Sequence, residues 1–459
     1  MFWGLFLFGE PFKETPNLDL MGAQGILFPN FYTANPLCSP SRAALLTGRL
    51  PVRNGFYTTN AHARNAYTPQ EIVGGISPDE ILLPELLKKK DYVSKIMGKW
   101  HLRHRTQYLL LKHGFDECVR PNIPVFSNSE MKGRYYEEFE INVKTGIQPH
   151  PNLFEGLDFI SQQAVAQRPF FLYWAPDASH APVYTSEWFL GKRQRGRYGD
   201  AMMELDDSIG QILARLVSLG IHNNTLVFFT SDNWAAVING PFLCGKETTF
   251  EGGMRKPAIA WWPGPIPAGT MSYQLGSVMD LFSTSLSVAG VLPSFLLANG
   301  MSYHVIPNRP IFYYRGNQMM AVRIRQHKAH FWTWSNSWEE FNKEIRGVTT
   351  HTQEEHTMQP LIFHLGQDPG ERYPISVESK EYQDVLRQVT AVVEQHQKDL
   401  IPGMRRNMCD LAVMPPDPVC FQIRGSLQSP GSSTYPDQMV DQHLERTSTA
   451  LKDSGDQDN

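Results

Sequence analysis

The chain has 459 residues, of which 41% are hydrophobic and 12% aromatic, and this excludes a disordered or fibrous protein. Its length is sufficient for two domains and a large core. A formal net charge of −4 excludes the basic surface typical of nucleic-acid-binding proteins, five cysteines are too few for a disulfide scaffold, and no apolar stretch is long enough to span a bilayer.

The N-terminal residues 1–9 are apolar, but they carry neither a basic region nor a small-residue cleavage site. We therefore do not expect them to act as a secretory signal peptide.

The most distinctive segment covers residues 37–49 and has the sequence Leu-Cys-Ser-Pro-Ser-Arg-Ala-Ala-Leu-Leu-Thr-Gly-Arg. Ser39 is a suitable N-cap, Pro40 suits the first helical position, and the following Ala and Leu residues favour a helix. Cys38 is therefore expected at a helix N-terminus, where free N–H groups and the helix dipole favour an anion. Taken without the rest of the motif, Cys38 is equally compatible with a small buried hydrophobic residue.

The first two-thirds of the chain alternates predicted helices (82–90, 153–166 and 200–219) with short apolar strands (92–97, 169–175 and 226–230). This alternation predicts an α/β fold. Polar residues follow each strand: Lys99 and His101 the first, His180 the second, Asp232 and Asn233 the third. Since ligands bind at the carboxyl ends of strands in such sheets, we expect these side chains on one rim.

A smaller unit is predicted from residue 309 onward, with strands at 311–314, 320–324, 329–334 and 361–365, a turn at 368–371, and a helix at 381–400. Ser379 is the predicted cap of that helix, which would pack on the antiparallel sheet through Tyr382, Val385, Val389 and Val393. From about residue 425 the composition predicts disorder. The predicted division is a catalytic α/β domain (1–308), a small antiparallel-sheet domain with a packed helix (309–401), and a C-terminal meander and tail (402–459).

Two further features concern covalent modification. Cys409 and Cys420 are close in sequence and could form a disulfide, whereas Cys118 and Cys244 have no evident partner. Asn223 begins the clear N-glycosylation sequon of the chain, Asn-Asn-Thr.

The motif Cys-x-Pro-Ser-Arg followed by Leu-Thr-Gly-Arg is similar to the signature of the type I sulfatases. Together with residues 15–19, 60–67 and 250–255, it makes the chain resemble the arylsulfatase family of the alkaline-phosphatase superfamily over most of its length. The resemblance implies an alkaline-phosphatase-like sulfatase fold, with a large mixed sheet flanked by helices and a smaller C-terminal antiparallel sheet with one helix.

The resemblance also implies an activity. Such an enzyme is a lysosomal sulfuric ester hydrolase that removes 6-sulfate from galactose or N-acetylgalactosamine units of keratan sulfate and chondroitin 6-sulfate. Its nucleophile is formylglycine, which the formylglycine-generating enzyme makes from the motif cysteine before the chain folds. One hydroxyl of the hydrated aldehyde attacks sulfur, and the other expels sulfate from the covalent product. The implied partners are the sulfated glycosaminoglycan and a second copy of the chain in a homodimer.

The resemblance implies a role for each candidate residue. Cys38 would be the nucleophile and, once modified, a calcium ligand together with Asp232 and Asn233. Arg42 would hold the nucleophile, and His101 would orient the aldehyde hydrate. The implied substrate-binding residues are Tyr67, Lys99, His180 and Lys246, of which Lys99 and His180 would bind sulfate oxygens and help the leaving group, and Lys246 would bridge sulfate and nucleophile. Fixed positive charge and a proton donor suit sulfate ester hydrolysis, and oxygen ligands suit calcium. Taken one at a time, these residues are also compatible with surface lysines, structural histidines or a turn.

The sequence departs from the family pattern in several places: at the N-terminus, at Trp234 and the shortened loop after it, after Cys118, and at residues 293–308. Family members begin with a strand that ends in two adjacent calcium-binding Asp residues, whereas the first acidic residue here is Glu10, and Trp234 occupies a family Gly position. We therefore expect weakened calcium binding. This leaves as the alternative a catalytically inactive sulfatase-like protein that at most binds sulfated glycans. A phosphoesterase is disfavoured, because that chemistry generally uses a Ser or Thr nucleophile and a fuller metal site.

Overall fold

The computed structural model describes residues 15–57, 75–102, 108–119, 151–176, 178, 180, 183, 185–192, 196–232, 241–291, 308–335 and 353–403. Its α-helices are α1 (Pro16–Ala23), α2 (Cys38–Thr47), α3 (Pro51–Asn54), α4 (Leu83–Leu87), α5 (Pro151–Val165), α6 (Gly196–Ser218), α7 (Glu251–Met254), α8 (Asp280–Val288) and α9 (Lys380–Asp399). Short 3₁₀ helices cover Lys88–Lys90, Leu110–Lys112 and His222–Asn224.

The strands are β1 (Ile26–Leu27), β2 (Phe31–Tyr32), β3 (Val93–Gly98), β4 (Glu117–Val119), β5 (Phe170–Ala175), β6 (Val227–Thr230), β7 (Arg255–Lys256), β8 (Ala258–Trp261), β9 (Thr270–Met271), β10 (Gly276–Ser277), β11 (Pro310–Arg315), β12 (Gln318–Ile324), β13 (His327–His330), β14 (Trp332–Thr333), β15 (Glu354–Glu355) and β16 (Leu361–His364). Helices and strands thus lie within a few residues of the predicted positions. One predicted strand is wrong, because residues 329–334 belong to two strands. The strand β13 pairs with β12 and β16, and β14 pairs with β15.

The α/β part contains three short sheets in the described residues. One is mixed with strand order β6-β8-β1-β9, one is wholly parallel with order β4-β3-β5, and one has order β10-β2-β7. In the parallel sheet Gly98 is the register partner of Ala175, so β3 and β5 end side by side. The polar residues that follow these two strands therefore start from the same edge.

Helix α6 holds the mixed sheet and α1 together. Helical spacing assigns Leu205, Ile209, Leu216 and Val217 to one apolar face of this helix. The first three are buried in one cluster with Leu18 and Ile259, whereas the assignment of Val217 is wrong, because its side chain is 53% exposed. A polar contact also joins α6 to α1: the Asp206 carboxylate accepts hydrogen bonds from the backbone N–H groups of Asn17 (3.0 Å) and Leu18 (2.8 Å). A carboxylate at the first turn of α1 satisfies otherwise unpaired N–H groups and complements the dipole.

The C-terminal sheet has strand order β11-β12-β13-β16 and is antiparallel throughout. Helix α9 packs on it as predicted, with Tyr382, Val385 and Val389 buried and Val393 half-buried against the same cluster. The predicted cap is also confirmed, since the Ser379 hydroxyl accepts a hydrogen bond from the backbone N–H of Tyr382 at 3.1 Å.

A buried charge cluster joins this sheet to the α/β part. The ammonium of Lys328 on β13 lies 3.0 Å from a carboxylate oxygen of Glu251 and 2.9 Å from one of Glu371, and all three side chains are fully buried. The same ammonium donates to the carbonyl of Thr249 at 2.8 Å, and Glu371 also binds His330 at 2.7 Å. Buried charges of this kind persist only when each has a partner.

Several predictions concern residues outside the described ranges: Tyr67, Asn233, Trp234, the Cys409–Cys420 pair and the disordered tail. The proposed domain boundaries stay a prediction. Cys118 and Cys244 form no disulfide with one another or with another described cysteine. Among the described helices, none has the length and apolar character needed to cross a bilayer.

Candidate active site

Cys38 is the first residue of α2, so its predicted place at a helix N-terminus is confirmed. The predicted cap is wrong, because Leu37 is the N-cap and Ser39 and Pro40 already lie inside the helix. The helix starts early because Leu37 is extended and its carbonyl accepts a hydrogen bond from the backbone N–H of Ser41. The Asn35 side chain fixes this entry by accepting a hydrogen bond from the Leu37 N–H at 3.1 Å.

The Cys38 side chain is 5% exposed and faces His101, His180 and Lys246. Burial and the charge of Asp232 raise the pKa of the Cys38 thiol. Interactions with His101 and His180, together with the charge of Lys246, outweigh both effects and place the pKa well below its usual value. The pocket therefore favours a negatively charged atom at this position.

His101 has a backbone and a side chain suited to a functional site. Its φ of 58° is in the left-handed region that non-glycine residues rarely adopt. Its ring nitrogens are inaccessible to solvent, and neither makes a hydrogen bond of normal geometry to a described residue, although the Cys38 thiol lies close enough to interact with the ring. Buried polar atoms normally have partners, so this ring is placed to bind a group at position 38 or a ligand beside it.

Arg42 connects three elements of the site. Its guanidinium contacts Oδ2 of Asp232 through Nε (3.0 Å) and Nη2 (2.8 Å), and Nη1 donates to the carbonyl of Lys99 at 2.9 Å. Burial raises the pKa of the Asp232 carboxyl, but the charges of Arg42, Lys99 and Lys246 lower it far more, so the group stays ionised. Asp232 follows β6 and Lys99 follows β3, and Arg42 thus brings together the ends of two sheets.

Lys246 lies in a loop, residues 243–250, that we call the Lys246 loop. Its ammonium is 3.1 Å from Nε2 of His180. Cys244 and Glu247 have φ values of 57° and 76°, so non-glycine residues in the left-handed region lie on both sides of Lys246. The backbone N–H of Glu247 donates to the carbonyl of Pro36 at 3.0 Å, which ties this loop to the start of α2.

Six of the predicted site residues are thus brought around Asp232 or Cys38, in agreement with the predicted rim: Cys38, Arg42, Lys99, His101, His180 and Lys246. Asn233 and Tyr67 lie outside the described residues. Within the described ranges the cluster contains more positive than negative charge, because Arg42, Lys99 and Lys246 all act on the carboxylate of Asp232. Such an arrangement attracts a small polyanion.

The described residues fit calcium only in part. Asp232 is a suitable hard oxygen ligand, and Arg42 contacts its Oδ2 through Nε and Nη2. Calcium takes about 6–8 oxygen ligands, and the described residues of this cluster supply one carboxylate. Asp232 therefore fits as one ligand of a calcium site whose other ligands would come from outside the described ranges.

Two residues of the site were missed by sequence reasoning. The Tyr173 hydroxyl on β5 is 3.4 Å from Nη1 of Arg42. Lys256 on β7 is fully buried, its ammonium donates to the Gly253 carbonyl at 2.8 Å, and the charges of Asp232 and Cys38 act on it. Burial lowers the pKa of Lys256 well below its usual value. No motif marks either residue, because both positions follow from tertiary packing.

Comparison with known proteins gives a consistent result. The sulfatase family model matches residues 1–291, and the model of the C-terminal region of aryl-sulfatase matches residues 306–423. N-acetylgalactosamine-6-sulfatase of Canis lupus familiaris is 61% identical, covering 95% of this chain and 91% of the relative, and that of Homo sapiens is 59% identical, covering 94% and 91%. The crystal structure of PsFucS1 sulfatase from Pseudoalteromonas sp. superposes with a TM-score of 0.67 at 26% identity and covers 84% of each chain.

Proposed function

Because the chain belongs to the sulfatase family, whose members hydrolyse sulfate esters, we propose that it removes 6-sulfate from galactose or N-acetylgalactosamine units of glycosaminoglycans. Keratan sulfate and chondroitin 6-sulfate are the substrates of this class. The observation that carries the proposal is Cys38 at a helix N-terminus, inside a pocket that favours an anion at that position. The choice of sugar rests on the 59–61% identity to relatives named N-acetylgalactosamine-6-sulfatase.

The proposed mechanism begins with charge. Sulfatases generally use formylglycine and calcium. Formylglycine at position 38 would supply a hydrated aldehyde, of which one hydroxyl would attack sulfur and the other would later expel sulfate. Lys99 and Lys246 bind the sulfate oxygens, which gain negative charge during the reaction. His180, held 3.1 Å from the Lys246 ammonium, donates a proton to the leaving sugar oxygen.

The remaining residues orient the nucleophile. His101 accepts or donates a hydrogen bond at position 38 through one of its buried ring nitrogens. Arg42 holds Asp232, and we assign calcium to Asp232, Asn233 and the modified Cys38, with further oxygens from outside the described ranges. Calcium would supply positive charge next to the nucleophile.

Further assignments follow from the same family. We assign Tyr67 to the sugar-binding part of the pocket and propose that the chain acts as a homodimer in the lysosome. The Asn223 side chain is exposed on a 3₁₀ helix and is available for N-glycosylation, which supports passage through the secretory pathway. Modification of Cys38 requires the formylglycine-generating enzyme as a partner during biosynthesis.

The test measures modification and turnover in the same preparation. The chain is produced in the secretory pathway of mammalian cells, and the tryptic peptide that contains residue 38 is analysed by mass spectrometry. Turnover is measured with galactose 6-sulfate and galactose 4-sulfate fluorogenic substrates in calcium. We expect the aldehyde at position 38 and a preference for the 6-sulfate. Cys38→Ala should abolish turnover, whereas the matched control Cys118→Ala should retain it.

A second function is favoured by one observation, the excess of cations over carboxylates in the described site. A catalytically inactive protein of this kind would bind sulfated glycans through Arg42, Lys99, His180 and Lys246. Aldehyde without turnover, combined with micromolar binding of a chondroitin 6-sulfate oligosaccharide, would support this alternative. An unmodified thiol without turnover would refute the enzymatic proposal for this chain.

A further inference from the structure

Two histidines and one glutamate lie together on the C-terminal sheet, away from the residues assigned to sulfate hydrolysis. His327 on β13 and His364 on β16 are register partners in the antiparallel sheet, and their rings meet edge to face with centroids 4.8 Å apart. Glu381 in the first turn of α9 reaches the same place, with Oε1 2.8 Å from Nε2 of His327. One ligand atom from each of the three lies within 4.8 Å of the others.

We propose that His327, His364 and Glu381 form a zinc-binding site. Two imidazoles and one carboxylate are a common donor set for zinc with three protein ligands and one water. The set does not suit calcium, which prefers six to eight oxygens. Nothing in the sulfatase reaction requires this site, so its occupancy is separate from catalysis.

The surrounding structure holds the three ligands in place. His327 and His364 are fixed by the β13–β16 pairing, and the start of α9 is fixed by the Ser379 cap. Glu381 is half-exposed and His327 partly buried, so both side chains can turn to bring ligand atoms that now lie within 4.8 Å of one another to the zinc–ligand distance of about 2.0–2.2 Å. The site therefore needs side-chain adjustment and no backbone movement.

The hydrogen bonds that the three side chains already make compete only weakly with zinc binding. Glu381 and His327 already share a hydrogen bond, and zinc would replace this contact with two bonds to the metal. The backbone N–H of Gln367 donates to Nδ1 of His364 at 3.2 Å. Zinc at Nδ1 would displace this long hydrogen bond, and zinc at Nε2 would move the ring proton to Nδ1 and give up the same bond.

A shallow groove leads to the site and provides an entry path. It is lined by Ile324, Arg325, Gln326, His327, Val385 and Gln388. The cation in this lining, Arg325, donates to the Asn308 side chain. Solvent and a fourth zinc ligand can thus reach His327 from outside the protein.

The test is zinc binding to the full-length chain, previously saturated with calcium to fill any calcium site. Isothermal titration and elemental analysis after dialysis should give one zinc per chain, and excess calcium should not displace it. His364→Gln and Glu381→Gln should each weaken zinc binding at least tenfold. Mutation of a residue that only supports a metal ligand typically lowers metal affinity 10–100-fold, and removal of a ligand itself should cost at least as much. The matched control His222→Gln, on a surface 3₁₀ helix, should bind zinc like the parent chain.

Thermal midpoints provide an independent readout. Without zinc the two ligand variants should unfold at the same temperature as the parent chain. With zinc only the parent chain and His222→Gln should gain stability, since a ligand that binds the folded state alone raises its midpoint. Absence of binding at 100 μM zinc would overturn the proposal. Binding that persists in both ligand variants, or that calcium displaces, would overturn it as well.

Discussion

Lys328 is the centre of the buried charge cluster, and its replacement provides the sharpest test of how the two parts of the chain are joined. In Lys328→Met the carboxylates of Glu251 and Glu371 remain fully buried, but both lose the ammonium that lies about 3 Å away. Removal of one partner from a buried ion pair costs about 3–5 kcal/mol, because the remaining carboxylates stay unsolvated and lose their nearest ammonium. Glu251 keeps the guanidiniums of Arg255 (3.7 Å) and Arg323 (3.8 Å), which limit the loss but lie farther away than the ammonium. At about 2 °C per kcal/mol for a large domain, the thermal midpoint should fall by roughly 6–10 °C.

The assay is thermal unfolding followed by tryptophan fluorescence at a fixed scan rate, at pH 7.5 and at pH 5. Loss of the ammonium raises the pKa values of the Glu251 and Glu371 carboxyls in the variant, so protonation on acidification relieves the repulsion between them. The deficit relative to the parent chain should therefore be smaller at pH 5 than at pH 7.5. Glu251→Gln added to Lys328→Met should restore part of the loss at pH 7.5, since it removes one of the two charges.

The control is Lys398→Met, because this lysine is exposed on α9 and its loss should change stability by less than about 0.5 kcal/mol. A midpoint for Lys328→Met within 2 °C of the parent would refute the reasoning. A deficit that is the same at both pH values would show that lost packing, and not unpaired charge, is the cause.

Three further predictions concern stability. Ser379→Ala removes the cap of α9 and should cost about 1 kcal/mol, measured as a lower thermal midpoint, whereas Ser379→Asp should retain the cap. Gly98→Ala should cost at least about 2 kcal/mol and lower turnover, because φ is 93° and an added Cβ would lie 2.1 Å from the Ala175 carbonyl; a folded, active variant would contradict this. Burial lowers the pKa of His396 to about 4, so stability should be full above pH 6.5 and decline towards pH 4. His396→Gln should reduce that decline, and unchanged pH dependence would contradict the assignment.

The fold was predictable from sequence wherever apolar residues recur at a regular spacing, because such residues form the face of an element that packs on its neighbour. The packing of α9 through Tyr382 and Val389 follows from helical spacing and is confirmed, and so is the face of α6 except for the exposed Val217. The break at residue 331 was not predictable, because no Gly or Pro interrupts residues 327–333 and only the pairing partners of β13 and β14 separate the two strands. The sulfatase fold itself is confirmed by the family matches and by the structural relative.

The site was predictable because its residues follow strand ends or lie in a motif. Lys256 and Tyr173 could not be found in this way, since each reaches the site from within a strand and only the tertiary fold shows which side chains they approach. The start of α2 was predicted wrongly, because Ser is a preferred N-cap residue and this preference points to Ser39 as the cap. The helix begins earlier, since the preceding loop places the Leu37 carbonyl where it accepts a hydrogen bond from the Ser41 N–H. The roles of the site residues stay predictions.

The Lys246 loop and the start of α7 are held by residues that lie far away in the sequence. Arg315 donates to the Glu247 carbonyl, Ser335 contacts the Cys244 thiol, and the carboxylate of Glu371 accepts from the backbone N–H of Glu251. A genetic screen for lost activity should therefore recover substitutions between residues 315 and 371 as readily as substitutions in the Cys38 motif. Such variants would resemble catalytic mutants in an activity assay, although none of these side chains is assigned to the substrate, and only a parallel measurement of protein abundance would separate the two classes.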